Sequence, residues 1–380
     1  MMIEIRPLDT VFFRDGKPFS MGEDTWADCI FPPLPSTIYG AMRSAYIAKR
    51  GDLKSFYGSE MEEQIGTPGK NGNFRIKGIY LKRGCDLLFP MPLDLVKDKD
   101  LKGEKDKNKV FKMNLDAANT AGELFFTNIG LPAFLFPENI EHAGASEKTF
   151  ISNSSFTCYL NSSGGIFSST PQEEITKVEP KVGIKRANNT HTAEEGHLYR
   201  VGMNRLVHIN PDKTIDEVSF LIDYGGLDDF PERCILKIGG EGKSAMGERV
   251  NDFKIPELSP TIKDRINEDR RFKLYFATPA IFKNGWLPDG INRDTLHWGK
   301  DGLKLQLLSA AVGKPVSLGG WDMDKNQPKS MRKAIPAGSV YYFEILEGNM
   351  EEVLKQFHYN NISDFSPEEG FGLTFAGAIL

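Results

Sequence analysis

At 380 residues, with 40% hydrophobic and 26% charged side chains, the chain has the size for about two globular domains and a substantial core. A net charge of −5 gives no global attraction to a polyanion, and no apolar run reaches the roughly 18 residues that a membrane helix needs. The start, Met-Met-Ile-Glu-Ile-Arg-Pro-Leu-Asp, lacks the apolar centre of a signal peptide, so a cytoplasmic protein with no membrane association is expected.

The first residues, "IEIRPLDTVFFRDGKPF", alternate as a strand and run into the Asp15-Gly16 turn. "FPPLPSTIYGAMRSAYIAKRG" follows. Its prolines close a loop, Ser36 or Thr37 is placed to cap a helix, and Ile38, Met42, Ala45 and Tyr46 recur at helical spacing up to Gly51. The start of such a helix offers N–H groups and the positive dipole end to an anion, with Arg43 further along. The alternative is a plain capped helix in which Gly40 allows close approach to a sheet.

"GNFRIKGIYLKRGCDLLFPMPLDL" spells two strands around Arg83-Gly84, and the charge-dense residues 97 to 109 a loop. Residues 150 to 220 mix Ser, Asn and Gly with short apolar runs, a pattern of hairpins and insertions. From residue 271 the order becomes plain: "RFKLYFATPAIF", "KLQLLSAAVG" and "GSVYYFEIL" as strands, "MEEVLKQFHYN" as a helix, and "GFGLTFAGAIL" as a closing strand. That is a βαββαβ order with its first helix reduced or replaced by loop. The expected fold is α+β: two ferredoxin-like (RRM-like) domains with long loop and hairpin insertions, residues 1–260 and 261–380.

The stretch "LKIGGEGKSAMGERV" contains Gly242-Lys243-Ser244, the end of a nucleotide-binding P-loop. The first glycine of that motif should stand at 237, where the residue is Lys237, and the sequence after Ser244 is a poor helix start. ATP binding is therefore not expected. What remains is a flexible turn, Gly239, Gly240 and Gly242, with one lysine, Lys243.

Cys29, Cys85, Cys158 and Cys234 are scattered, which excludes a zinc knuckle or a disulfide framework and suggests reduced, mostly buried thiols. "HTAEEGHLYR" brings His191 and His197 near Glu194 and Glu195, but misses the inverted zinc-protease motif by one letter. No metal set and no cofactor is expected. Locally, residues 180 to 208 carry Lys181, Lys185, Arg186, Arg200 and Arg205 against Glu194 and Glu195, five cations minus two acids. His191 with Lys185 or Arg186 is a conceivable metal-free trio for abstracting a 2′-OH proton, although any exposed basic hairpin looks alike. In residues 316–340, Trp321 among Lys325, Lys329, Arg332 and Lys333 suits a single-stranded nucleic acid through stacking and phosphate pairing. The alternative there is a loop whose Trp321 plugs the core.

Taken in order, "RPLDTVFFRDGKPF", "FPPLPSTIYGAMRSA", "EPKVGIKRANNTHTAEEGHLYR", "IGGEGKSAMG", "LGGWDMDKNQPKSMRKAIPAGSVYYFE" and "GFGLTFAGA" resemble the RAMP family that supplies the third subunit of Cmr, the type III-B CRISPR effector complex. The resemblance implies a non-catalytic protein that grips the repeat-derived 5′ tag of the CRISPR RNA. Its implied partners are a large polymerase-like palm-domain subunit and the adjacent backbone RAMP subunit. It assigns Gly239, Gly240, Gly242, Lys243, Gly370 and Gly372 to the RNA path, and Lys185, Arg186, His191 and Tyr199 to a hairpin near the tag. Arg14, Ser36, Thr37, Arg43, Trp321 and Arg332 complete the candidate RNA contacts. The second reading is a metal-independent RAMP endoribonuclease that processes precursor CRISPR RNA.

Overall fold

A computed structural model of the chain describes every residue except 15–25, 28, 68, 102, 104–105, 118–129, 188, 191, 211, 252–253, 323–324 and 380. The architecture is mixed α+β, with mostly antiparallel sheets and few helices. Two compact units emerge, and each is assembled from three stretches of chain. Residues 1–85, 173–253 and 317–333 form one; residues 86–172, 254–316 and 334–380 form the other, a division different from a single cut near residue 260.

The first unit is built on a five-strand ladder in the order Arg233–Lys237, Ser244–Val250, Met2–Pro7, Ile215–Gly225, Arg75–Arg83. Every neighbouring pair in it is antiparallel. Register follows from the pleat: Ile3 and Ile5 sit opposite Ile222 and Phe220, and all four are fully buried on one face. That face is covered by the helix Pro35–Arg50, which buries Ile38, Met42 and Tyr46 at four-residue intervals. Pro35 opens the helix and Leu34 is its N-cap without a side-chain hydrogen bond, so Ser36 and Thr37 lie inside the first turn rather than capping it. The pre-set φ of Pro35 starts the helix without a hydroxyl cap. Gly51 ends it as expected, whereas Gly40 is exposed with nothing near an added Cβ, so it makes no close approach.

From this sheet projects a long hairpin, Thr176–Arg186 paired with Ala193–Ile209. Residues 316–340, expected as a long loop, contain a short ladder pairing Trp321 with Pro328.

The second unit carries a six-strand antiparallel sheet ordered His297–Lys300, Leu303–Ala311, Val340–Glu347, Arg271–Phe276, Leu373–Gly377, Asn360–Asn361. The helix Met350–Phe357 buries Met350, Val353 and Phe357, and an Asn349–Glu352 capping box fixes its start. The four strands and the helix anticipated from residue 271 onward are among these, with loop in place of the first helix, while His297–Lys300 and Asn360–Asn361 were not anticipated. A further ladder of this unit runs Asp86–Pro90, Thr149–Ser152, Ile166–Pro171, Lys109–Lys112, Leu95–Asp98. The charge-dense segment 97–109 thus contributes to a hairpin at both its ends.

Among the described residues no helix is long and apolar enough to cross a membrane. None of the four cysteines forms a disulfide, but the expectation of mostly buried thiols fails: Cys85 and Cys158 are exposed, and Cys29 and Cys234 half-buried. Cys85 stands in the turn between two strands, Cys158 on the helix Asn153–Leu160 and Cys234 on the edge strand Arg233–Lys237, whereas Cys29 packs against a buried cluster.

Candidate nucleic-acid interface

The glycine turn is the connection of a hairpin. It joins Arg233–Lys237 to Ser244–Val250, so a strand and not a helix follows Lys243, and the phosphate-binding geometry of a P-loop is absent. Gly239 has φ +72° and stands so close to the chain that an added Cβ would lie 2.4 Å from the Phe12 carbonyl oxygen. The Gly240 N–H donates to that same carbonyl at 2.8 Å, while Glu241 and Gly242 also take positive φ. Only glycine fits at 239. The turn is thereby pinned onto Phe12.

Phe12 is also where the long hairpin docks. Val201 and Met203 project to one face of the Ala193–Ile209 strand and are buried with Phe12, with Cys29 packed beside them. Their cross-strand partners are Lys181 and Glu179, which therefore share that face. The opposite face of Thr176–Arg186 carries Val178, Val182 and Ile184, each at least half exposed. Residues 177–182 are exposed on both faces, so only the Ala193–Ile209 strand buries side chains against Phe12, while Thr176–Arg186 offers apolar side chains to solvent.

Between hairpin and turn lies a chain of ion pairs. Lys243 Nζ donates to Asp9 Oδ2 at 2.9 Å, and Arg205 Nη2 donates to Asp9 Oδ1 at 3.1 Å. Arg205 also grips Glu179 through both Nε and Nη2, and Lys181 Nζ donates to Glu241 Oε2 at 2.6 Å. The hydrogen bond from Lys243 is the first cause that holds the Asp9 carboxyl down at about 2. Glu179 is lowered likewise by Arg205. Three cations face three carboxylates, so the surface is locally neutral rather than basic. Asp9, Glu179 and Glu241 were invisible as partners in the sequence, because the window from 180 to 208 omits all three.

The other candidates separate. Arg43 donates to the Ile65 carbonyl at 2.8 Å and lies over the rings of Tyr39 and Phe56, which clamps the helix to the following segment. Arg50 is engaged with Asp229 and the Tyr46 ring. Arg14 bridges to Cys29, and Arg332 begins a short strand, both exposed. Arg186 ends its strand opposite Ala193, Tyr199 pairs with Gly183, and Lys185 sits at the register shift between Ile184 and Arg186. His191 lies outside the described residues.

Gly370 and Gly372 belong to the other unit and are buried. Their N–H groups donate to Pro367 and Pro279, and an added Cβ on Gly372 would lie 2.5 Å from the Ser363 nitrogen. They make a tight turn into the last strand rather than an open stretch of backbone. Among the described residues no group of three or more His, Cys, Asp or Glu is arranged to hold a metal ion.

These features define a strand-rich α+β protein with a cation-bearing hairpin surface. The profile of the CRISPR-associated protein family Cas_Cmr3 matches residues 3–379, and the chain belongs to that family. It is the family of the type III-B Cmr third subunit that the sequence resembled. Two solved structures are similar in outline: the type III-B Cmr-beta bound to cognate target RNA and AMPPnP, and the same assembly bound to cognate target RNA. The first shares 16% identity over 90% of this chain and 86% of that one, with a TM-score of 0.49. The second shares 16% identity over 94% and 89%, with a TM-score of 0.48. No curated protein matches.

Proposed function

We propose that this protein is a non-catalytic subunit of a type III-B CRISPR effector complex that holds the 5′ repeat-derived tag of the CRISPR RNA. The observation that carries the reading is the docking of the long hairpin and the glycine turn on one residue, Phe12, with Lys181, Arg205 and Lys243 presented between them. Cations at an exposed surface position a phosphate backbone. Family membership supports the same role and supports a large palm-domain subunit and a neighbouring backbone RAMP subunit as its partners.

The fold reading belongs here too. In the second unit, numbering Arg271–Phe276, Leu303–Ala311, Val340–Glu347 and Leu373–Gly377 as strands one to four gives the spatial order four-one-three-two, which supports a ferredoxin-like domain. In the first unit Met2–Pro7, Arg75–Arg83, Ile215–Gly225 and Ser244–Val250 give the same order, with a strand in place of the second helix.

The test is fluorescence-anisotropy binding of labelled tag RNA and of a scrambled RNA of equal length to the full chain in EDTA, followed by a gel of the RNA. Tighter binding of the tag, with the RNA recovered intact, is the expected result. Specific cleavage that is lost in His191→Ala would replace this reading with the endoribonuclease.

A further inference from the structure

The lysine of the glycine turn and the arginine of the long hairpin are held by one carboxylate. Asp9 places one oxygen on Lys243 Nζ and the other on Arg205 Nη2, at 2.9 and 3.1 Å. A phosphodiester has two non-bridging oxygens and accepts from lysine and arginine in the same manner. We infer that Asp9 is an intramolecular substitute for an RNA phosphate, seated between Lys243 and Arg205 and displaced when RNA binds. This rests on the reading of the hairpin and glycine turn as an RNA surface.

The surroundings fit displacement rather than permanent burial. The Asp9 side chain is 56% exposed, Arg205 and Glu179 are 44% and 48% exposed and Lys243 19%, so solvent and ligand reach the carboxylate while the lysine stem lies against the fold. Exposed ion pairs of this kind hold weakly and yield to a competing anion. Asp9 follows the first strand, whose neighbour's Ser244 carbonyl accepts the Leu8 N–H, so its backbone stays in place when its side chain swings away. It remains ionised at any working pH, since Lys243 keeps it acidic down to about 2. Glu179 and Glu241 hold Arg205 and Lys181 in the same fashion, so the unliganded surface is charge-balanced.

The salt dependence carries a distinctive signature. Each phosphate neutralised on a single strand releases bound cations, which gives a slope of about 0.7 in log affinity against log salt. Displacing Asp9 also breaks intramolecular ion pairs that salt itself weakens, so the wild-type slope is shallower than its contacts imply. Replacing Asp9 by its uncharged isostere removes this offset.

The experiment compares wild type, Asp9→Asn, Lys243→Ala and the double variant as full chains. Binding of labelled single-stranded tag RNA is measured across a potassium chloride series, with thermal unfolding of each variant as a control. Asp9→Asn is expected to bind roughly 3- to 10-fold tighter at low salt, with a slope steeper than that of wild type. Lys243→Ala is expected to weaken binding and to remove most of the Asp9→Asn gain. If Lys243→Ala weakens binding while Asp9→Asn is unchanged or weaker, the substitution role of Asp9 is overturned and the RNA surface stands. If neither variant, nor Arg205→Ala, changes binding or slope, the RNA surface itself is misplaced and the inference goes with it. Should Asp9→Asn fail to fold, Asp9→Ser removes the same carboxylate and must tighten binding for the inference to survive.

Discussion

At the scale of single residues, the second unit holds a lysine where none would be placed by choice. Lys273 is 1% exposed, and its Nζ has no hydrogen-bond partner and lies 3.3 Å from the centre of the Tyr159 ring. Beside it Asp94, fully buried, accepts hydrogen bonds from Tyr159 and Tyr342. Gly377 faces Lys273 across the ladder, and an added Cβ there would stand 3.1 Å from Lys273 Cε, so the glycine makes room for the lysine stem. Burial drives the Lys273 amine from its usual 10.5 to about 7; Asp94 pulls it upward and Lys112 pushes it down. Between pH 7 and 10.5 the unfolded chain therefore binds one more proton than the folded chain, and stability rises with pH in that window. Below pH 7 both states are protonated and the cost of the buried ammonium is fully present. Burial, with Asp94 nearby, raises Tyr159 and Tyr342, so unfolded tyrosines that ionise near 10 reverse the trend above it. Urea unfolding from pH 6.5 to 9.5 should thus show stability rising by up to about 1.4 kcal/mol per pH unit, and Lys273→Met should flatten that rise. A flat wild-type profile would mean that the lysine finds a partner or water. None of this was legible in the sequence, because a lysine in an alternating strand predicts a solvent-facing position, and only the packing of Tyr159 and Asp94 makes it internal.

At the scale of elements, much was legible where local chemistry decides. The strands and helix after residue 271 were readable because apolar alternation, glycine turns and an Asn-x-x-Glu cap coincide. Asn349→Ala should lower stability by about 1 kcal/mol in urea unfolding, since it removes the side-chain acceptor for the Glu352 N–H. The helix after Leu34 was found, but its start was assigned to Ser36 or Thr37 because hydroxyls cap most helices, whereas proline serves here. The glycine turn shows the reverse limit. Its composition suggested open backbone, yet Gly239 is required by contact with Phe12, more than 200 residues earlier in the chain. Gly239→Ala should cost about 1–3 kcal/mol, from positive φ plus the clash, and should weaken RNA binding by shifting Lys243. Unchanged stability in urea unfolding would show that the turn is not pinned.

At the scale of the whole molecule, the sequence did not reveal that residues 86–172 join the C-terminal stretches in one compact unit. Such assembly depends on which non-local faces pack, and no local pattern records it. The same holds for the candidate site: its cations were visible as residue types, while their carboxylate partners come from distant segments, Asp9 and Lys243 being 234 positions apart. Lys181, Arg205 and Lys243 are paired with carboxylates of the chain itself, in keeping with its net charge of −5. Purification from the host should accordingly recover a large palm-domain protein and CRISPR RNA together with this chain.

The central claim is that the hairpin and glycine turn hold the tag, and photo-crosslinking measures it most directly. CRISPR RNA carrying thiouridine in the tag is irradiated with the full chain, and the crosslinked peptides are mapped by mass spectrometry. The account predicts crosslinks within residues 176–209 and 238–244, reduced when Lys181 and Lys243 are both replaced by alanine. Crosslinks confined to the unit of residues 86–172, 254–316 and 334–380, and untouched by those replacements, would contradict it.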